Sequence, residues 1–288
     1  MIRNRNIWWE AAVMAGLMLS AGGFAAAQSS RGGQGQPAGQ QTDKPKTPEV
    51  TPLTLDAAPP VNAEEDAAFK AFQDAPQSDM KKKVELGEGF VQKYPQSRYR
   101  PVIYSVMTMD YLQLGQVQKM IEIGEKAIEL TPTDVTTLAL LGQTISRVVN
   151  STTPDLPKQL TKAEAYSKRA LEITPTLPKP TELTDEAFER AKNQTLATAH
   201  SGLGLVYVKR GKYAESIPEL EQSVKLDPTP DPVNYYLLGI ANKNTSHFDD
   251  AVAAFNKCAA TAGQLQAECK TKAEETKKLG VTQLSAPK

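Results

Sequence analysis

The strongest constraint on this chain is that it repeats itself. Aligned on Pro132, Pro175, Pro228 and Gly263, the sequence returns the same residue classes at the same offsets. Tyr104, His200 and Tyr235 stand 28 residues before three of these markers, and Thr108, Gly204 and Gly239 stand 24 before them. Gly115, Gly211 and Ser246 stand 17 before, where a tight turn is needed. Met120, Ala163, Ser216 and Ala251 precede all four markers by 12, and Ala127, Ala170, Ser223 and Cys258 by 5. At least three of the four residues in each of those last two sets are small, so neighbouring elements can approach closely. A period of this size means that each unit is one supersecondary element, unable to bury its apolar face alone and obliged to stack on its neighbours.

Within a unit the apolar spacing is helical twice over. Tyr104, Met107 and Tyr111 make one stripe, and Met120, Ile123 and Ala127 the next, with Gly115 between them and Pro132 at the end. Leu203, Val206 and Tyr207 precede Gly211, with Ile217, Leu220 and Val224 after it; Leu238 is followed by Phe248, Ala251 and Phe255. Asp231 with Pro232 reads as a helix cap with proline in the first turn, and Thr161 with Glu164 as a capping box. The run His200-Ser201-Gly202-Leu203-Gly204-Leu205-Val206-Tyr207, closed by Pro228, resembles the tetratricopeptide repeat. That resemblance covers 101–265. It implies an all-α fold, a right-handed superhelical stack of helix hairpins with a C-terminal capping helix, whose concave face binds a protein or peptide. Units are expected at 101–134, 135–175, 183–230 and 232–265, after a degenerate first hairpin at 61–100 and before a capping helix and tail at 266–288.

Two departures interrupt the period. Gly142 lies 33 rather than 24 residues before Pro175, which places nine extra residues around Asn150 to Leu160. The third unit starts late, and its extra residues read as a helix extension. Thr184 is a suitable cap, Asp185 and Glu186 suit the positive end of the helix dipole, and Phe188, Ala191, Leu196 and Ala199 continue the stripe. A helix from Asp185 to Arg210 would run roughly 39 Å at 1.5 Å per residue. The two inserts are neighbours in the stack and are expected to pack on each other.

The first 27 residues read as an export signal: Arg3 and Arg5, an apolar run from Ala11 to Phe24, then Ala25-Ala26-Ala27. A periplasmic or secreted location follows. The alternative is an uncleaved anchor, for which the 17 residues from Ala11 to Ala27 sit at the short limit. Only that alternative places the protein on a membrane. Residues 28–60 contain no aromatic side chain and are crowded with Gln, Gly, Pro, Ser and Thr, the composition of a disordered linker. Lys+Arg and Asp+Glu each total 33, a balance that argues against nucleic-acid binding.

No catalytic constellation stands out. His200 and Ser201 are chain neighbours that do not face each other on a helix, and no acid is placed to orient the imidazole. Gly204, Gly211 and Lys212 do not have phosphate-loop spacing. Two Cys and two His are too few for a four-ligand zinc site of the usual kind, so neither a metal nor another cofactor is expected. Cys258 and Cys269 fall on the packing stripes of the last helices and suit either a disulfide or two buried thiols. Groove lining is expected from first-helix residues that point away from the second helix. These are Val102, Ser105, Met109 and Leu112, then Thr136, Ala139 and Gln143. Later repeats add Thr198, Ser201 and Leu205, then Tyr236, Ile240 and Lys243, a neutral and mildly apolar set. The function this supports is an exported scaffold acting by protein–protein recognition. A membrane-anchored assembly factor, or an enzyme using the inserted edge, are the alternatives.

Overall fold

The computed structural model describes residues 62–284. The expected export signal at 1–27, the linker at 28–60 and the last residues of the tail lie outside the described residues. Eleven α-helices and no strand are found among the described residues. They pair as α1 (Ala63–Asp74) with α2 (Met80–Lys93), α3 (Arg100–Gln113) with α4 (Val117–Leu130), and α5 (Val135–Val148) with α6 (Leu156–Ile173). Then come α7 (Asp185–Lys209) with α8 (Tyr213–Leu226), α9 (Pro232–Asn244) with α10 (Phe248–Ala260), and a closing α11 (Gln266–Leu284). Each helix packs on the next in chain order, and α5 also lies along α7.

Three of the hairpin turns share one backbone solution. Gly115, Gly211 and Ser246 have φ of 70°, 71° and 65°, the left-handed region. After each, the next amide donates back to a carbonyl five residues earlier: Gln116 to Tyr111, Lys212 to Tyr207 and His247 to Asn242, all at 2.9 Å. This is a Schellman ending, which satisfies helix-end carbonyls that would otherwise lack donors. The residue following the turn is at once the N-cap of the second helix, which therefore starts without a side-chain cap in all three hairpins. The first helices α5, α7 and α9 begin differently, whereas α3 starts without a side-chain cap. Asp134 accepts from the Thr137 amide at 3.1 Å, Thr184 from Ala187 at 3.2 Å and Asp231 from Val233 at 2.9 Å.

The repeated small positions form the spine. Met120, Ala163, Ser216 and Ala251 are fully buried, as are Ala127, Ala170 and Cys258, with Ser223 at 1% exposure. One apolar cluster runs unbroken from Phe72 in α1 through Met107, Met120 and Leu141 to Val206 in α7. Burying each large side chain in it is worth roughly 1.5–3 kcal/mol. At the N-terminal end, Phe69 stacks on Tyr99 with ring centroids 4.0 Å apart, and the Tyr99 hydroxyl donates to Asp66 at 2.7 Å. At the other end α11 covers α10 and buries Cys269, Ala273 and Thr276. Cys258 and Cys269 are joined as a disulfide there, with Cα atoms 5.9 Å apart.

Two local expectations fail. Thr161 and Glu164 do not form a capping box, because α6 starts earlier, at Leu156, behind Asp155 with φ 53°. Thr161 lies inside the helix, where its hydroxyl donates to the Pro157 carbonyl at 2.9 Å. Part of the nine-residue insert is thus helix, leaving a short loop in which the Asn150 carboxamide accepts from the Thr152 amide at 2.9 Å. Nor do the inserts pack on each other. The first lies by the C-terminal end of α7, where Lys209 donates to the Val149 carbonyl and Arg210 pairs with Glu164. The second is at the opposite end of α7, where Phe188 and Ala191 pack on Leu177 and Leu183. The 25 residues of α7 hold the two apart.

Candidate functional site: the cleft between the first helices

What shapes the site is the crossing of α5 and α7. A Cβ on Gly142 would lie 2.2 Å from Ser167 Oγ and 3.0 Å from the Ser167 backbone nitrogen. One on Gly202 would lie 2.8 Å from the Gln143 nitrogen and 2.9 Å from the Gly142 carbonyl carbon. The missing side chain at Gly202 lets the α7 backbone come this close to α5, and the one at Gly142 makes room for Ser167 of α6 on the other side. Beside this crossing opens a cleft of about 370 Å³ with walls from α5, α7, α8 and α9 and an edge at Leu112 and Val117.

A buried polar chain forms the cleft's floor. Ser201 Oγ donates to Asn234 Oδ1 at 2.7 Å, Asn234 Nδ2 donates to Ser223 Oγ at 3.0 Å, and Ser223 donates to the Ala197 carbonyl at 2.9 Å. These bonds tie α7, α8 and α9 together while satisfying groups that burial would otherwise penalise. Arg147, on α5, donates to Asp231 at 2.9 Å, joining residues 84 apart in sequence. Asp231 meanwhile keeps the α9 cap. Asp227, at the end of α8, accepts from the Thr229 amide at 2.9 Å.

Only three of the expected groove residues line this cleft: Leu112, Gln143 and Thr198. Val102, Thr136, Tyr236, Ile240 and Lys243 are half-buried elsewhere. Ser105, Met109, Ala139, Ser201 and Leu205 are buried and do not line this cleft. The reason is geometric: a first helix is sandwiched between its own second helix and the neighbouring unit, so a face turned from one is covered by the other. Tyr236 instead turns toward the cap, its hydroxyl donating to Glu268 at 2.7 Å; burial first, then that bond, push its pKa up to about 12. The lining is also more polar than expected, with Gln143, Thr144, Arg147, Gln194, Asp227 and Asp231 in its walls. Sequence reasoning missed Arg147, Gln194 and the two aspartates. Asp231 had a cap signature, but nothing local pointed it at Arg147.

Among the chemical candidates, His200 is corrected in one respect. An acid does orient its imidazole: Nδ1 lies 2.6 Å from Glu219 Oε2, both side chains half-buried. Ser201 is turned away into the Asn234 network, so no nucleophile faces that imidazole. His247 is exposed, its Nδ1 3.0 Å from the Thr245 hydroxyl. No group of three or more His, Cys, Asp or Glu placed to hold a metal is present among the described residues.

The segment 197–230 matches the family model described as tetratricopeptide repeat. No curated protein matches the chain. It is similar to the crystal structure of TTC0263, a thermophilic TPR protein in Thermus thermophilus, at 18% identity over 74% of this chain and 98% of that one, TM-score 0.43. A MamA RS-1 double mutant is similar at 16% identity over 78% and 99% of the two chains, TM-score 0.47. A tetratricopeptide repeat protein from Parabacteroides merdae ATCC 43184 is similar at 14% identity over 74% and 90%, TM-score 0.33.

Proposed function

We propose that this chain, an all-helical tetratricopeptide-repeat protein, is an exported scaffold that holds a segment of a partner protein in the cleft between α5, α7 and α9. The observation that carries the reading is the state of the cleft's polar groups. The Gln143 and Gln194 carboxamides and the Thr144 hydroxyl line the cleft and have no hydrogen-bond partner among the described residues, whereas the floor beneath them is bonded throughout. Free carboxamides in a concave, water-accessible wall suit the N–H and C=O groups of an extended peptide. The glycine-dependent crossing of α5 and α7 makes the wall rigid, which lowers the ordering cost of binding.

Export rests on residues 1–27. Edman sequencing of the protein recovered from the producing cell tests it: a mature N-terminus at Gln28 supports a released protein, and an intact Met1 supports the anchored assembly factor. No helix among the described residues is long and apolar enough to cross a membrane. The cleft is tested by substituting Thr198→Trp, which fills it from a half-buried position. Partner binding should fall at least tenfold while the helical circular dichroism stays unchanged. Undiminished binding would move the site elsewhere.

A further inference from the structure

The charges in the cleft wall are unequal. Two carboxylates, Asp227 and Asp231, face one guanidinium, Arg147, and Arg147 is already held by Asp231 at 2.9 Å. Asp227 uses one oxygen on the Thr229 backbone and side chain, and it has no cationic partner among the described residues. An anionic ligand would find the one cation that lines the cleft, among the described residues, already taken. A cationic one would find a free carboxylate oxygen in a concave wall that focuses its field. A second, independent observation lies alongside. Thr144 is 6% exposed and lines the same cleft, and its hydroxyl has no partner among the described residues, which leaves an acceptor open to whatever enters.

Resting on the reading of the cleft as the binding surface, we infer that the seated partner segment carries a lysine or arginine whose cation lies between Asp227 and Asp231. An ammonium brings three N–H donors and a guanidinium five, with no acceptor. The acceptors waiting for them are the free Asp227 oxygen, the Asp231 carboxylate, the Thr144 hydroxyl and the Gln143 and Gln194 carboxamide oxygens. Arg147 stays on Asp231 and keeps that carboxylate turned into the cleft. The occupant is a protein side chain, because the free carboxamides flank the carboxylates with groups fitted to a peptide main chain.

The test pans a display library of short random peptides against the full chain, then measures the best binders by fluorescence anisotropy. Enriched peptides should share a Lys or Arg at one position, and replacing it with norleucine should weaken binding about 10- to 100-fold, the weight of a charge-assisted hydrogen bond. Asp227→Asn should weaken the cationic peptide to a similar extent and leave the norleucine peptide unchanged, while Asp227→Glu should recover most of the loss. Thr144→Val provides a second variant should Asp227→Asn disturb the Thr229 turn. Enriched peptides that are neutral or acidic, or a norleucine effect below about threefold, would overturn the cation and leave the cleft standing. Failure to enrich any peptide, or binding indifferent to Thr198→Trp, would overturn the cleft reading and this inference with it.

Discussion

Replacing Gly202 by Ala should destabilise the protein even though it removes a helix-breaking residue. The added methyl would meet the Gln143 nitrogen at 2.8 Å and the Gly142 carbonyl carbon at 2.9 Å, both backbone atoms of the facing helix, and Ser167 Oγ at 2.8 Å. Backbone cannot rotate away as a side-chain tip can, so the cost belongs at the upper end of overpacking, about 3 kcal/mol. Alanine recovers about 1 kcal/mol of helix propensity over glycine. The net is a loss of about 2 kcal/mol, or roughly 4–8 °C in melting temperature for a folded region of this length. Gly89 provides the control, since it lies within α2 and a Cβ there has nothing within 4 Å. Gly89→Ala should gain about 1 kcal/mol from propensity alone. Thermal melts followed by far-ultraviolet circular dichroism read both. A Gly202→Ala protein as stable as the parent would mean that α5 and α7 do not cross at this distance, and the cleft beside them would lose its geometric basis.

Other consequences are local. Ser246→Gly should stabilise the last hairpin by about 1 kcal/mol, because serine alone among the three turn residues carries a Cβ at positive φ; an unchanged denaturation midpoint would contradict this. Reducing the Cys258–Cys269 disulfide, whose ends are 11 residues apart, should cost about 3 kcal/mol by the loop-entropy account. The loss should appear first as faster hydrogen exchange in α10 and α11. Asp110 is 3% exposed with Oδ2 unpartnered, and burial pushes its pKa up to about 6 against the countering charge of Lys83. The folded state therefore binds a proton more tightly than the unfolded chain does, so stability should fall, by about 2–3 kcal/mol, as pH rises from about 4 through 6. Asp110→Asn should flatten that segment of the stability profile, and a profile unchanged by the substitution would refute the assignment.

The fold was legible because its signals are redundant. The requirement at Gly115 is repeated at Gly211 and Ser246, and the burial at Ala163 is repeated at Ser216 and Ala251, so the period is fixed several times over. Thr161 and Glu164 misled because a Thr-x-x-Glu spacing looks the same at a helix start and one turn inside it. The cleft was legible only in part, since a helical wheel shows which face turns from the partner within a hairpin but not what the neighbouring unit lays over that face. Met109 and Leu205 were lost to the core in this way. The pairing of Arg147 with Asp231 depends on how successive hairpins are rotated, and that of His200 with Glu219 on how two helices of one hairpin face each other; no local spacing encodes either. The residues gathered by the cleft, Gln194 and Asp227 among them, come from several separate helices, and only the approach of α5 and α7 carries a local signal, in Gly202.

Hydrogen–deuterium exchange of the full chain, alone and saturated with its tightest selected peptide, puts the concave cleft to the most direct trial. Protection should concentrate at the C-terminal half of α5, the stretch of α7 around Gln194 to Thr198, and the α8–α9 junction around Asp227 to Asn234. Protection confined to α1 and α2, to α11, or to the outward faces of the second helices would contradict recognition by the cleft.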